Sequence, residues 1–281
     1  MVFMKMMTMF FLIIILLSGT CLAQDELITI DKKAFTIGES IEIRSAILSE
    51  NRTINIYLPN GYSADSAKTY PVIYLLDGSA DEDFIHIAGL VQFGSFSWIN
   101  LIPETIVVGI ANVDRKRDFT YPTENKELLA DFPTTGGSQT FIRFLAEELQ
   151  PFIDGNYKTS PVKTLLGQSL GGLLATEILF RKPDLFRNYI IVSPSLWWDD
   201  ESLLKQQPVK FEEKKSVYIA VGKEGEVMER VAKELFDKLK LSTKPDTPLF
   251  FEFLEKHNHG DALHQAAYRA FEKLFKVEEE K

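Results

Sequence analysis

The chain of 281 residues is 45% hydrophobic and 25% charged, a balance that excludes a disordered chain and can bury an ordinary core. Its 40 acidic and 31 basic side chains leave a net charge of −9, which excludes a protein that tracks nucleic-acid phosphates. The length fits one large α/β domain or two small ones, no second-domain boundary is visible, and no repeat with a period of tens of residues is present.

Residues 1–23 read as a secretory signal. Lys5 is the only charge before Asp25, the apolar run Phe10 to Leu17 is short, and Cys21 and Ala23 are small residues placed for a cut after Ala23. The run falls far below the ~20 residues of a membrane span. An uncleaved N-terminal anchor is the first alternative. Acylation of Cys21 is the second, disfavoured by the bulk of Thr20 before it. The expectation is an exported protein, periplasmic or secreted, with residues 24–281 forming a single catalytic domain and no stable membrane insertion once the signal is removed. Cys21 is the only cysteine, so the processed chain has no disulfide, cysteine nucleophile or thiolate metal site.

The elements follow in chain order. Residues 41–48 and 53–58 alternate and are β-branched, which predicts an antiparallel hairpin at a sheet edge. Short apolar runs at 71–76, 105–111, 163–168, 188–193, 216–221 and 248–254 predict buried strands. Helical periodicity predicts helices over 138–153, 227–240 and 262–276. This alternation predicts a mostly parallel central sheet with an antiparallel N-terminal edge and helices on both faces. Ligands then bind at the carboxyl ends of the strands, and functional residues follow directly after them. Residues 112–137 and 197–215 read as long irregular loops, candidates for covers over a site.

The chemistry concentrates at Gly167-Gln168-Ser169-Leu170-Gly171, a G-x-S-x-G pattern between an apolar strand and a small-residue helix. Such a turn projects the Ser169 hydroxyl, and the helix N-terminus puts positive charge near an oxyanion. A plain glycine-rich turn is the bland alternative. A serine needs a base, and three histidines follow in chain order: His257, His259 and His264. His259, in the tight turn Asn258-His259-Gly260 before a helix, is preferred. His86 precedes the serine and is expected to pack in or border the segment after Gly78. The acid should follow the strand ending near Val221. Glu224 is preferred, while Glu226 fits the first turn of the next helix and a dyad with no acid stays open. Leu170 and Gly78 are the expected oxyanion N–H donors. No H-E-x-x-H, Walker loop or G-x-G-x-x-G is present, so no metal or organic cofactor is expected. Asp199, Asp200 and Glu201 read as a solvated acidic face.

Several segments carry a resemblance: VIYLLDG at 72–78, NVDRKRDFTYP at 112–122, FLAEELQPFIDGNYKTSP at 144–161, LLGQSLGG at 165–172, KPDLFRNYIIVSPSLWWDD at 182–200 and NHG at 258–260. The chain resembles an esterase family of α/β-hydrolases with siderophore (catecholate trilactone) esterases, esterase D-like S-formylglutathione hydrolases, and feruloyl or acetyl-xylan esterases. It is most similar to the siderophore-esterase branch. The resemblance implies the α/β-hydrolase fold, Ser169 as nucleophile, His259 as base, and Gly78 and Leu170 as oxyanion donors. Gln168 stands where many members have His. Some siderophore esterases work as Ser–His dyads, which weakens the case for Glu224. Arg115 is expected either to meet an acidic or catecholate substrate or to pair with Asp118. Trp197 and Trp198 are expected to wall the pocket or fill a core beside it, and Trp198 is taken as the substrate-binding candidate.

The expected function is an exported serine carboxylic ester hydrolase acting through an acyl-enzyme on a small-molecule ester, siderophore-like or carbohydrate-linked. An acyltransferase of the same fold, a peptidase, and a non-catalytic ligand-binding homologue are the rivals. The ester and the oligomeric state stay open.

Overall fold

The structure, a computed structural model, describes residues 29–211, 214–244 and 246–276. The expected signal at 1–23, with Cys21, lies outside the described residues. Residues 29–36 form a separate unit with no regular element, and everything below concerns the unit from Ile37 onward.

Eight strands form one sheet: β1 (Glu39–Ser45), β2 (Glu50–Tyr57), β3 (Tyr70–Leu75), β4 (Ile106–Ile110), β5 (Thr159–Gln168), β6 (Asn188–Val192), β7 (Ser216–Gly222) and β8 (Leu249–Leu254). Their order is β1-β2-β4-β3-β5-β6-β7-β8. β1 and β2 form the antiparallel hairpin, with Glu39 opposite Ile56 and Ser45 opposite Glu50, and β2 runs antiparallel to β4. From β4 to β8 every pairing is parallel. This is the α/β-hydrolase architecture, with every strand run at its expected place. β4 and β6 are buried at every position because helices cover both faces.

The helices are α1 (Phe84–Gly94), α2 (Arg115–Phe119), α3 (Lys126–Asp131), α4 (Ser138–Phe144), α5 (Gln150–Asn156), α6 (Leu170–Arg181), α7 (Trp198–Lys205), α8 (Glu226–Ser242) and α9 (Ala262–Leu274). A π-helical turn, Leu145–Leu149, joins α4 to α5. One apolar layer holds α4, α6 and α8 against the sheet. The other sets Ile87, Ala88 and Val91 of α1 and Ala266, Ala270 and Phe271 of α9 beneath Ile73, Leu166 and Ile190. None of the helices among the described residues is long and apolar enough to cross a membrane.

The two segments expected to be irregular are partly helical. Residues 112–137 contain α2 and α3, and 197–215 contains α7, which opens with left-handed residues at Asp199, Asp200 and Glu201. Asp199 accepts from the Thr123 hydroxyl and Glu201 pairs with Arg230, so this acidic face is tied down. A charge cluster pins the α2 segment to the sheet. Asp118, almost wholly buried, pairs with both Arg52 and Arg117, while the Arg117 fork grips Glu50. The Arg52 guanidinium lies over the rings of Phe141 and Phe144, 5.1 and 5.8 Å from their centroids.

Candidate active site

Three strands of the parallel sheet end in a non-glycine residue with positive φ: Asp77 after β3 (φ 56°), Ser169 after β5 (φ 58°) and Ser193 after β6 (φ 45°). Side-chain residues avoid this region, and it is tolerated where the surroundings enforce it. At Ser169 the enforcement is visible. The turn drives β5 straight into α6, so close that a Cβ on Gly167 would sit 2.5 Å from the Gly171 carbonyl oxygen. The bend leaves Ser169 at the N-cap of α6, beside the N–H of Leu170 at the first helical position, which makes no hydrogen bond among the described residues.

Ser169 lines a cleft of about 410 Å³ with Asp77, Glu82, Asp83, Arg115, Gln168, His259 and Gly260. These residues follow β3, β4, β5 and β8, the carboxyl edge where the topology places a ligand. His259 arrives on a tight loop built on Asn258. The Asn258 side chain accepts from Gly260 N–H, its carbonyl accepts from Ala262 N–H, and Asp261 accepts from Asn258 N–H. The Gln168 side-chain amide donates to the His259 carbonyl oxygen at 2.5 Å, linking the serine turn directly to the histidine loop.

His259 Nδ1 lies 2.5 Å from Glu224 Oε2, while the other carboxylate oxygen accepts from the Ser193 hydroxyl at 2.5 Å and from Gly222 N–H at 2.8 Å. Burial alone would push the Glu224 carboxyl up. The hydrogen bonds from His259, Ser193 and Gly222 outweigh it and hold the group below the ordinary carboxylate value. Of the two acids left open by the sequence, Glu224 therefore meets the histidine, and Glu226 sits exposed in the first turn of α8. The Ser169 hydroxyl lies 3.3 Å from the Ser195 hydroxyl, and Ser195 N–H donates to the Ser169 carbonyl at 3.0 Å.

A family model described as "Putative esterase" matches residues 45–279. The chain belongs to this esterase family. It is 35% identical over 186 residues to the ferri-bacillibactin esterase BesA of Bacillus subtilis (strain 168), covering 62% of this chain and 64% of that one. The crystal structure of the BES protein from Bacillus cereus matches with a TM-score of 0.77 at 29% identity, over 90% of this chain and 100% of that one. The IroE-like serine hydrolase from Shewanella oneidensis matches with a TM-score of 0.71 at 30% identity, over 85% and 80%. The chain spans less than two thirds of the length of the curated relatives it matches.

Two expectations for this family member need correction. Gly78 does not offer its N–H to the cleft, because it donates to the Ile110 carbonyl at 3.0 Å. A glycine is needed there for packing, since a Cβ would lie 2.4 Å from Gly109 Cα. The next N–H, that of Ser79, makes no hydrogen bond among the described residues. Trp198 does not wall the cleft. It is completely buried, donates from Nε1 to the Tyr121 carbonyl at 3.0 Å and meets Phe132 edge-on, because the 112–137 segment folds over it. Trp197 packs, partly buried, against the same core.

Arg115 does line the cleft, but its partner is Asp77 and not Asp118. Its Nε and Nη2 grip the two Asp77 oxygens at 2.6 and 2.9 Å, and Nη2 also reaches the Gln168 carbonyl at 3.3 Å. His86 of α1 meets His264 of α9 edge-to-face at 4.0 Å, and His257 Nδ1 lies 3.4 Å from Asp261, so neither His257 nor His264 competes for the Glu224 contact. The sequence reading missed Asp77, Glu82, Asp83, Ser193 and Ser195. The Ser193-Pro194-Ser195 run directly after β6 was a usable signal, since functional residues follow strands.

Proposed function

We propose that this protein is an exported serine carboxylic ester hydrolase. One observation carries the reading: Ser169, on a strained strand-to-helix turn, shares a cleft with a histidine whose Nδ1 is held at 2.5 Å by a buried carboxylate. With Nδ1–H given to Glu224, Nε2 of His259 is the basic nitrogen. Ser169 turns from Ser195 toward it, loses its proton to it and attacks the ester carbonyl. The imidazolium formed is stabilised by Glu224 and returns the proton to the leaving alcohol. Water then clears the acyl-enzyme by the same route. The developing oxyanion is assigned to the N–H groups of Leu170 and Ser79, each of which would be worth ~10²–10³ in turnover.

A siderophore-type ester is the proposed substrate, on the strength of the relative that is a ferri-bacillibactin esterase. Arg115, fixed by Asp77 at the rim, is assigned to contact it. The test is a panel of catecholate lactones, feruloyl and acetyl sugars and nitrophenyl esters, run on wild type and Ser169→Ala, with an alcohol acceptor added to separate hydrolysis from acyl transfer. The serine variant should lose several orders of magnitude in turnover. Unaltered hydrolysis by Ser169→Ala rejects the reading. Export is checked by the mass of the protein recovered from outside the cytoplasm, which should correspond to a chain starting at Gln24.

A further inference from the structure

The segment Ser193-Pro194-Ser195 leaves β6 between the two ends of the catalytic set and touches both. Ser195 faces the nucleophile, as above. Ser193 faces the acid, and its backbone presents a puzzle. It is fully buried, with φ at 45°, a conformation that glycine adopts without steric cost and serine does not. The backbone is held there by its N–H, which donates to the Ala220 carbonyl of β7 at 2.7 Å. Glycine would suit the turn better, yet a side chain is present. Among the described residues, the one hydrogen bond made by that side chain is to Glu224 Oε1, at 2.5 Å.

The consequence for Glu224 is geometric. Oε1 takes two donors, the Ser193 hydroxyl and Gly222 N–H, which approach from different elements. Together they fix the rotation of the carboxylate and leave Oε2 as the oxygen aimed at His259 Nδ1. With Gly222 N–H alone, the carboxylate could pivot about that single bond and lose its alignment with the imidazole.

We infer that Ser193 is a positioning residue, which locks the Glu224 carboxylate so that one oxygen serves His259. This rests on the triad reading above. A residue kept in a strained conformation for its hydroxyl should, when changed, separate stability from catalysis.

The test compares Ser193→Gly and Ser193→Ala with wild type, Ser169→Ala and Glu224→Ala on a nitrophenyl ester. The quantities measured are kcat, KM, the pH profile of kcat/KM, the melting temperature and the low-field proton NMR signal of His259 Nδ1–H. Glycine relieves the backbone, so Ser193→Gly should melt no lower than wild type. Its kcat should fall about tenfold with KM little changed, in line with losing one hydrogen bond to a charged group. The acid limb of kcat/KM should move to lower pH, because a misaligned carboxylate stabilises the imidazolium less, and the low-field signal should weaken. Asp77, Glu82, Asp83 and Arg115, which share the cleft with His259, are untouched by the change, so the shift reports on Glu224. Ser193→Ala should show the same catalytic loss without the backbone relief. If Ser193→Gly and Ser193→Ala keep the wild-type kcat and acid limb while Glu224→Ala is crippled, the positioning role is wrong and the triad stands. If Glu224→Ala is also silent, both fall together.

Discussion

Glu224→Gln changes one atom and little volume, and the structure dictates which way the new amide must face. Both donors that hold the native carboxylate, Ser193 Oγ and Gly222 N–H, point at Oε1. The amide oxygen has to occupy that place, since an NH₂ group there would meet two donors and leave buried groups unsatisfied. The NH₂ is thereby turned toward His259 Nδ1, 2.5 Å from the native Oε2. Nδ1 must now accept, so the ring proton moves to Nε2, the nitrogen that should take the Ser169 proton. The fold survives with the base in the wrong tautomer. In a serine-hydrolase triad of this logic the equivalent amide costs about 10⁴-fold in kcat, which is about 5.5 kcal/mol of transition-state stabilisation. The assay is steady-state hydrolysis of a nitrophenyl ester together with the rate of labelling by a fluorophosphonate, and both should collapse while the melting temperature changes little. Turnover within about tenfold of wild type at neutral pH would refute the reasoning and leave Ser169 and His259 working as a dyad.

Two further outcomes are expected. Trp198→Ala should cost about 3–5 kcal/mol in denaturant unfolding, as for other large aromatics removed from a core. Its KM should stay near wild type per titrated active site, since the ring packs away from the cleft; a large rise in KM with intact stability would contradict that placement. Burial pushes the Asp83 carboxyl up to about 6, with the charges of Asp77 and Glu82 adding to it and His264 and Arg115 opposing. Between the unfolded value near 4 and that figure, the folded state holds a proton that the unfolded chain has lost, so stability falls as pH rises through this window. Asp83 makes no side-chain cap to α1, so Asp83→Asn forfeits no helix cap. It should melt like wild type near pH 3.5 and above it from pH 6 upward, and equal melting at both pH values would count against the assignment.

The parallel sheet was legible because buried strands in such a sheet are short apolar runs, and each of its six strands was written that way, while the hairpin of β1 and β2 showed as alternation. The serine turn was legible because its glycines answer a local contact, as at Gly167. What the sequence concealed depends on partners far along the chain. α1 carries two glycines, lacks a first-turn acid and has no side-chain cap, so its helical character comes from packing on the sheet. α2 and α3 are too short for a period to show. Gly78 looked like an oxyanion donor because the Ile110 carbonyl that claims its N–H belongs to a strand some thirty residues on. Glu224 and Glu226 are told apart by partners from other strand ends: the His259 ring that meets Glu224 and the Ser193 hydroxyl that holds its other oxygen.

The cluster of Arg52, Asp118, Arg117 and Glu50 has a bearing on how the cleft responds to its surroundings. Asp118 stands three residues beyond Arg115, so the rim of the cleft is moored by charge in a chain whose lone cysteine can form no internal crosslink. A mooring enclosed by protein is poorly reached by counterions, so ordinary salt should leave the rim in place.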